Sequence, residues 1–437
     1  MLKMEVKNGI KKIDVRLITY VFIVLLKQFS YVFFPSNIIS YLLIVALIFL
    51  FLTEKKENFL PVILFFHPCA ALFDDVNFTY IFNFTIVIFA LRQFVLLYKQ
   101  KLFTNKNKKL LILLVLIVCY EIILTLANGF LDAGILSLVS WISSYIFVIT
   151  YMSVIDKPDV NKMLKYFYYG FVAGAIGGYA IPYSIYGIDF PSKYRFMGLF
   201  RDPNVYSLDA LLIIFTSLKI KKRLSIMTIV TITLGCFSVS KMFLLVLLLG
   251  MGLHLIINLK TIKAKEIIKV MPLVVIACVI GIRFNFFTTI YDKYIDRIDV
   301  ENISTGRTEI IEFYLGRLYD KPLNLIFGSS DSNYRLVLQD NTQKRSLYET
   351  HNTYLELLVA WGILGTTYYL IYIEKIIEYI KNKYNKYDMK IKYSFPLIFS
   401  FLLAIFSLAY LSADIFAILI LFIVLVTYIP AEMEDTK

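Results

Sequence analysis

Apolar runs of roughly 15–25 residues succeed one another along this chain, separated by short polar stretches, and that is the length a helix needs to cross a bilayer. The pattern predicts an all-α polytopic membrane protein. About fourteen spans fall near 17–34, 37–53, 59–73, 79–98, 110–127, 133–153, 166–186, 204–218, 224–237, 242–259, 267–284, 352–373, 394–412 and 414–430. The third segment is short, with His67 and Pro68 inside it, and the ninth is short as well. Residues 1–437 read as one integral membrane domain, with a single sizeable extramembrane stretch, the loop 285–350.

The polar connections orient this array. Lys or Arg occurs in 1–16, Glu54–Asn58, Lys99–Lys109, Asp156–Lys165, Lys219–Arg223, Lys260–Lys269 and Glu374–Lys392. The alternate short loops, Pro35–Ser36, Asp74–Asn77, Asn128–Asp132 and Ser412–Asp414, contain neither. Positive charge is retained on the cytoplasmic side, so both termini are expected in the cytoplasm. A net charge of +13 is accounted for by this topology without a nucleic-acid partner. With 59% hydrophobic residues and a mean hydropathy of +0.71, the composition fits the same class. No cleavable signal peptide is expected, because the basic N-terminus leads into a full-length span that carries Lys27. The four cysteines lie within apolar segments without metal spacing, so neither disulfide nor metal site is expected.

Three outer segments carry positive charge against the rule: Ile188–Asn204 with Lys193, Arg195 and Arg201, the turn Ser238–Lys241, and the loop 285–350. Basic outer loops oppose insertion, and an anionic ligand is one reason to keep them. Guanidinium forks at one membrane face suit phosphate or pyrophosphate oxygens. Asp202-Pro203-Asn204 reads as a helix start, with Asp202 as cap and Pro203 in the first turn, so an ordinary cap beside snorkelling arginines is the blander account. Within the long loop, Thr308–Leu318 predicts a surface helix with an apolar stripe of Ile311, Tyr314, Leu315 and Leu318, flanked by Arg307 and Arg317. Arg307 near that helix N-terminus would add to an anion site; Lys241 is a further candidate or a snorkelling cation. Ser329–Thr350 is polar and reads as irregular, a candidate lid.

His351 lies at the outer mouth of the twelfth span, beside Asn352 and one helical turn before Glu356. A histidine titrating near neutrality could take a proton from a sugar hydroxyl or orient a leaving phosphate, and Asn352 and Glu356 could hydrogen-bond a hydroxyl-rich acceptor. His67 and His254 read as packing residues within spans. No phosphate-binding Gly-Lys loop, paired-histidine zinc motif or serine elbow is present.

The ordered set Arg195-x-x-Gly198 with Asp202-Pro203-Asn204, then Ser238-x-Ser240-Lys241, Ser304-x-Gly306-Arg307, and His351-Asn352 with Gly362 and Gly365, resembles the bacterial O-antigen polymerase and O-antigen ligase superfamily. The resemblance runs from about Lys193 to Gly365. It implies an inverting, metal-independent glycosyltransferase of the C-type membrane fold, needing no cofactor and using undecaprenyl-diphosphate-linked oligosaccharides at the outer face of the cytoplasmic membrane. It also implies a diphosphate clamp of Arg195 or Arg201 with Arg307, and His351 near the acceptor hydroxyl. Lys241 stands where many relatives carry arginine.

On this basis the expected function is a polymerase that joins lipid-linked repeat units into capsular, exopolysaccharide or O-antigen chains. Its expected surroundings are membrane lipid and, from the family, a chain-length-regulating copolymerase and a flippase. Three rivals are a ligase passing the glycan to another acceptor, a lipid-linked oligosaccharide flippase and a structural assembly subunit. A flippase would place charge near the membrane midplane and show internal repeats. Lys27, Arg92, Glu121 and Asp209 are instead scattered among the spans, and the dense polar cluster lies at the outer rim.

Overall fold

The computed structural model describes residues 14–34, 36–76, 81–127, 135–180, 196–200, 202–221, 224–258, 307–330, 350–384, 391–408 and 415–429. Within them the chain is all-helical. The first ten helices are α1 (Val15–Phe33), α2 (Asn37–Leu52), α3 (Phe59–Phe66), α4 (Ile81–Lys99), α5 (Asn105–Ala127), α6 (Ile135–Val154), α7 (Val160–Ala180), α8 (Pro203–Lys221), α9 (Ile226–Cys236) and α10 (Lys241–Asn258). After residues 259–306 come α11 (Arg307–Asp320), α12 (Pro322–Phe327), α13 (Thr353–Tyr384), α14 (Phe395–Ala404) and α15 (Phe416–Tyr428). Thirteen of the fourteen predicted segments hold a described helix, and 267–284 lies outside the described residues. By length and composition alone, α1, α4, α5, α10 and α13 are the five described helices able to cross a membrane; α2, α9 and α15 are shorter but apolar.

Burial separates a centre from a periphery. Every residue of α3 is buried, and so is every residue of α8 from Tyr206 to Leu218. A helix apolar all round belongs in a core, whereas α1, α2, α5 and α10 expose large apolar side chains, as lipid-facing helices do. The third segment is helical only as far as Phe66, then tightens into a 3₁₀ turn at His67–Cys69. Pro68 lacks the N–H that a continuing helix would require.

Polar contacts between elements gather at two ends. At one end, cations of neighbouring helices cap helix C-termini, where carbonyls are unpaired and the dipole is negative. Arg92 donates to the Phe51 and Glu54 carbonyls, and Lys383 donates to Met152 and Ile155 at the end of α6 while pairing with Asp156 at 3.1 Å. Lys219 donates to Val426 and Thr427 near the end of α15. Tyr20 and Asn58 both donate to the buried Glu54 carboxylate at 2.6 Å. At the other end, Ala71 N–H meets the Leu199 carbonyl and Phe196 N–H meets that of Phe237. There too, Thr353 Oγ1 donates to the Leu408 carbonyl at 2.6 Å.

Between the two ends, His67 Nδ1 lies 2.9 Å from Asp209 Oδ2, with both side chains buried. The other oxygen, Oδ1, finds no hydrogen-bond partner among the described residues. The rings of Phe82, Phe167 and Phe200 surround the imidazole. This pair joins the turn after α3 to the middle of α8, and so fixes the height of the central helix.

α13 is not continuous. Gly362 has φ +62° and ψ −171°, a region open essentially to glycine alone. Into the break fits Gly328, also at positive φ, and the chain after α12 runs alongside it. Ser329 and Ser330 N–H donate to the carbonyls of Val359 and Ala360 at 3.0 and 2.9 Å. Tyr120 of α5 donates to the carbonyls of Phe327 and Trp361 at 2.5 and 3.1 Å. A Cβ at Gly362 would lie 2.5 Å from the Ile326 carbonyl group.

Two outcomes follow for stability. Gly362→Ala should cost about 1–3 kcal/mol from backbone strain, with steric conflict added; a lower melting temperature in detergent and faster tryptic cleavage after Arg317 would register it. Wild-type melting and cleavage would contradict the account. Asp209→Ala should cost about 3–5 kcal/mol by stranding a buried partner, and Asp209→Asn less, since its amide oxygen can still accept from Nδ1. Identical melting of wild type and both variants would show that the pair contributes nothing.

Candidate functional site

The central helix begins as its first residues dictate. Asp202 Oδ1 accepts from the N–H groups of Asn204 and Val205, at 2.5 and 3.4 Å, and so caps α8. Asn204 reaches sideways: its Oδ1 accepts from Ser240 Oγ at 2.9 Å, while that hydroxyl also accepts from Phe243 N–H and caps α10. The first two sequence clusters are thus tied together at the Ser240–Lys241 turn. The preceding residue, Val239, has φ +47°, an outlying conformation for a β-branched side chain. Gly198 turns at φ +58° against the Tyr206 ring, and its backbone leaves no space for a side chain at Gly178 of α7.

The third cluster meets this one at Arg307, the first residue of α11. Arg307 Nη1 donates to Ser407 Oγ at 3.1 Å, and the Asp202 carboxylate lies near enough to favour the guanidinium charge. Burial lowers the Arg307 pKa from its ordinary value, and Asp202 opposes that shift. The fourth cluster arrives beside it, since Thr353 is bonded to Leu408, the residue after Ser407. Asn352 caps α13 by accepting from Tyr354 and Leu355 N–H at 3.0 and 3.1 Å. His351 stands just outside the cap, partly exposed, at φ +46°. Such a backbone is uncommon outside glycine, and strain of this kind gathers at working sites. Six of the seven positive-φ positions among the described residues belong to these clusters or to the docking of Gly328–Ser330 on α13; Lys101 is the exception.

The remaining candidates divide. Glu356 is fully buried, one turn into α13, where its N–H donates to the Asn352 carbonyl at 2.9 Å. Lys241 opens α10, partly exposed, on the turn that Asn204 holds. Arg317 is about 15 Å from Arg307 along α11, and its Nη1 is buried without a hydrogen-bond partner among the described residues. Arg195, Arg201, Ser304 and Gly306 lie outside the described residues, as does 331–349 of the polar loop. The surface helix starts at Arg307 rather than Thr308, and its buried stripe is Ile310, Tyr314 and Leu318. Leu315, expected in the stripe, is 49% exposed, because α11 packs against α12 and α13 instead of lying on its predicted face.

Ser407 escapes a sequence reading, since a lone serine at the end of an apolar run carries no signal. The His67–Asp209 pair escapes it too: the partners are 142 positions apart and each reads as an isolated polar residue in a span. Among the described residues no group of three His, Cys, Asp or Glu side chains forms a metal-ligand set. Cys69, Cys119 and Cys236 are unpaired.

No curated protein matches the chain. Residues 226–370, from α9 into α13, match the model of the family described as O-antigen ligase. That stretch includes Lys241, Arg307, Arg317, His351, Asn352 and Glu356, and excludes Asp202 and Asn204. Over that third of its length the chain is similar to the O-antigen ligase family.

Proposed function

We propose that this chain is a polymerase that joins undecaprenyl-diphosphate-linked oligosaccharide repeat units at the outer face of the bacterial cytoplasmic membrane. The observation that carries the reading is the meeting of Arg307 with Asp202, Ser407 and the mouth of α13. A half-buried guanidinium at a helix N-terminus is a strong anion site, because the free N–H groups and the dipole add to its charge. The polar contacts at two ends, with cations capping helix C-termini at one of them, support fourteen spans with both termini cytoplasmic.

In this reading the acceptor hydroxyl attacks the anomeric carbon of the donor sugar while the sugar–phosphate bond breaks. Undecaprenyl diphosphate leaves with the bonding electrons. Arg307, with Arg195 or Arg201, balances the charge that develops on the diphosphate. His351 takes the proton from the attacking hydroxyl. Lys241 and Arg317 lie further along the anionic path. Asp202 holds Arg307, Asn204 holds the Lys241 turn, and Asn352 and Glu356 shape the mouth of α13. The donor bond is already activated, so the step requires neither nucleotide nor metal.

With purified protein, defined lipid-linked repeat units, no nucleotide sugar and excess EDTA, the expected product is a glycan ladder spaced by one repeat. Transfer only to an added second acceptor would make the protein a ligase. Substrate crossing a proteoliposome bilayer with no new bond would make it a flippase. Arg307→Ala and His351→Ala should each lower the rate about 100-fold or more with unchanged melting, Arg307→Lys less, and Ser407→Ala by under about tenfold. Wild-type rates in both alanine variants would refute the assigned roles.

A further inference from the structure

Away from the outer site, a groove runs between α5 and the C-terminal half of α13. Its lower part, about 580 Å³, is walled by Leu110, Leu113 and Ile371 and rimmed by Lys106, Lys109 and Lys375. Glu378 is the acid at this rim and already pairs with Lys375 at 3.0 Å. Lys106 and Lys109 make no hydrogen bond or salt bridge with a described residue; Lys106 sits in the first turn of α5, which holds no acidic residue, and Lys109 opens the next. Cations at the positive end of a helix dipole are unfavourable alone and are relieved by an anion. Directly above, a second apolar recess of about 340 Å³ lies between Leu116 and Ile117 of α5 and Leu364 and Gly365 of α13. From Lys109 to Tyr120 the seam measures about 16 Å, one leaflet of a hydrocarbon core about 30 Å thick.

We propose that the α5–α13 seam binds an anionic glycerophospholipid of the cytoplasmic leaflet, its phosphate on Lys106, Lys109 and Lys375 and an acyl chain against Leu113 and Leu116. The leaflet assignment rests on the topology proposed above; the binding site does not. Basic pockets between spanning helices on the cytoplasmic side recognise such head groups by charge, while the apolar wall selects a chain over a free phosphate. Tyr120 closes the upper end of the seam and also holds the carbonyls at the α13 break, so the bound chain would reach the element that positions the outer site.

Full-length protein, delipidated in detergent, should retain a phosphatidylglycerol adduct in native mass spectrometry through activation that strips phosphatidylcholine. The triple variant Lys106→Gln/Lys109→Gln/Lys375→Gln should lower phosphatidylglycerol retention at least about tenfold. A control triple at Lys55, Lys157 and Lys321 should leave it unchanged. Leu113→Trp, which fills the groove and keeps the lysines, should also lower retention. Equal retention of both lipids, or of phosphatidylglycerol by wild type and the first triple, would overturn the site. Lys109→Cys should react in intact cells only with a membrane-permeant maleimide; reaction with an impermeant one would overturn the leaflet assignment while leaving the site standing.

Discussion

A helix that breaks inside hydrocarbon leaves carbonyls with no water to bond, and each unpaired group costs several kcal/mol. α13 breaks at Gly362, and its freed carbonyls are taken by Ser329, Ser330 and Tyr120. That requirement ties the chain following α12 to α13 and α5. Since α11 and α12 are joined through a single residue, Lys321, the position of Arg307 follows from the same docking. A glycine at Gly328 is needed because any Cβ there would strike the Ala360–Trp361 backbone. The break therefore serves as a socket that gives the α11–α12 segment a fixed place against the bundle.

The central helix supplies the other half of the site. α8 is buried along most of its length, pinned midway by His67 and capped at its N-terminus by Asp202. Its capping carboxylate then faces Arg307, so one residue ends a helix and holds a cation that would otherwise be buried alone. At the opposite end, Arg92, Lys219 and Lys383 pair with helix-end carbonyls. These cations thereby stabilise helix termini within the bundle.

Much of this was legible in the sequence. Apolar length gave the helices, Asp before Pro gave the α8 start, and Ser-Thr-Gly-Arg gave the start of α11 to within one residue. What was not legible depends on distant contacts. The pairing of Ser329 and Ser330 with Val359 and Ala360 involves backbone only, so no side-chain pattern announces it. In the stripe of α11, Tyr314 and Leu318 were read correctly, but Ile310 takes the place of Ile311 and Leu315 is exposed, because the helix packs on α12 and α13 rather than on a flat membrane surface. His67 and Asp209 read as isolated polar residues until the fold brings them together. The spacing of Asn352 and Glu356 correctly implied one turn of helix but not that Glu356 faces the interior.

The most direct test of the account is an experimental structure in lipid nanodiscs with a donor whose sugar–phosphate bond has been made unreactive. The diphosphate should lie in salt-bridge contact with Arg307 at the N-terminus of α11, with the donor sugar facing His351. A diphosphate bound beyond the reach of Arg307, or at the end of the bundle lined by Arg92, Lys219 and Lys383, would contradict it.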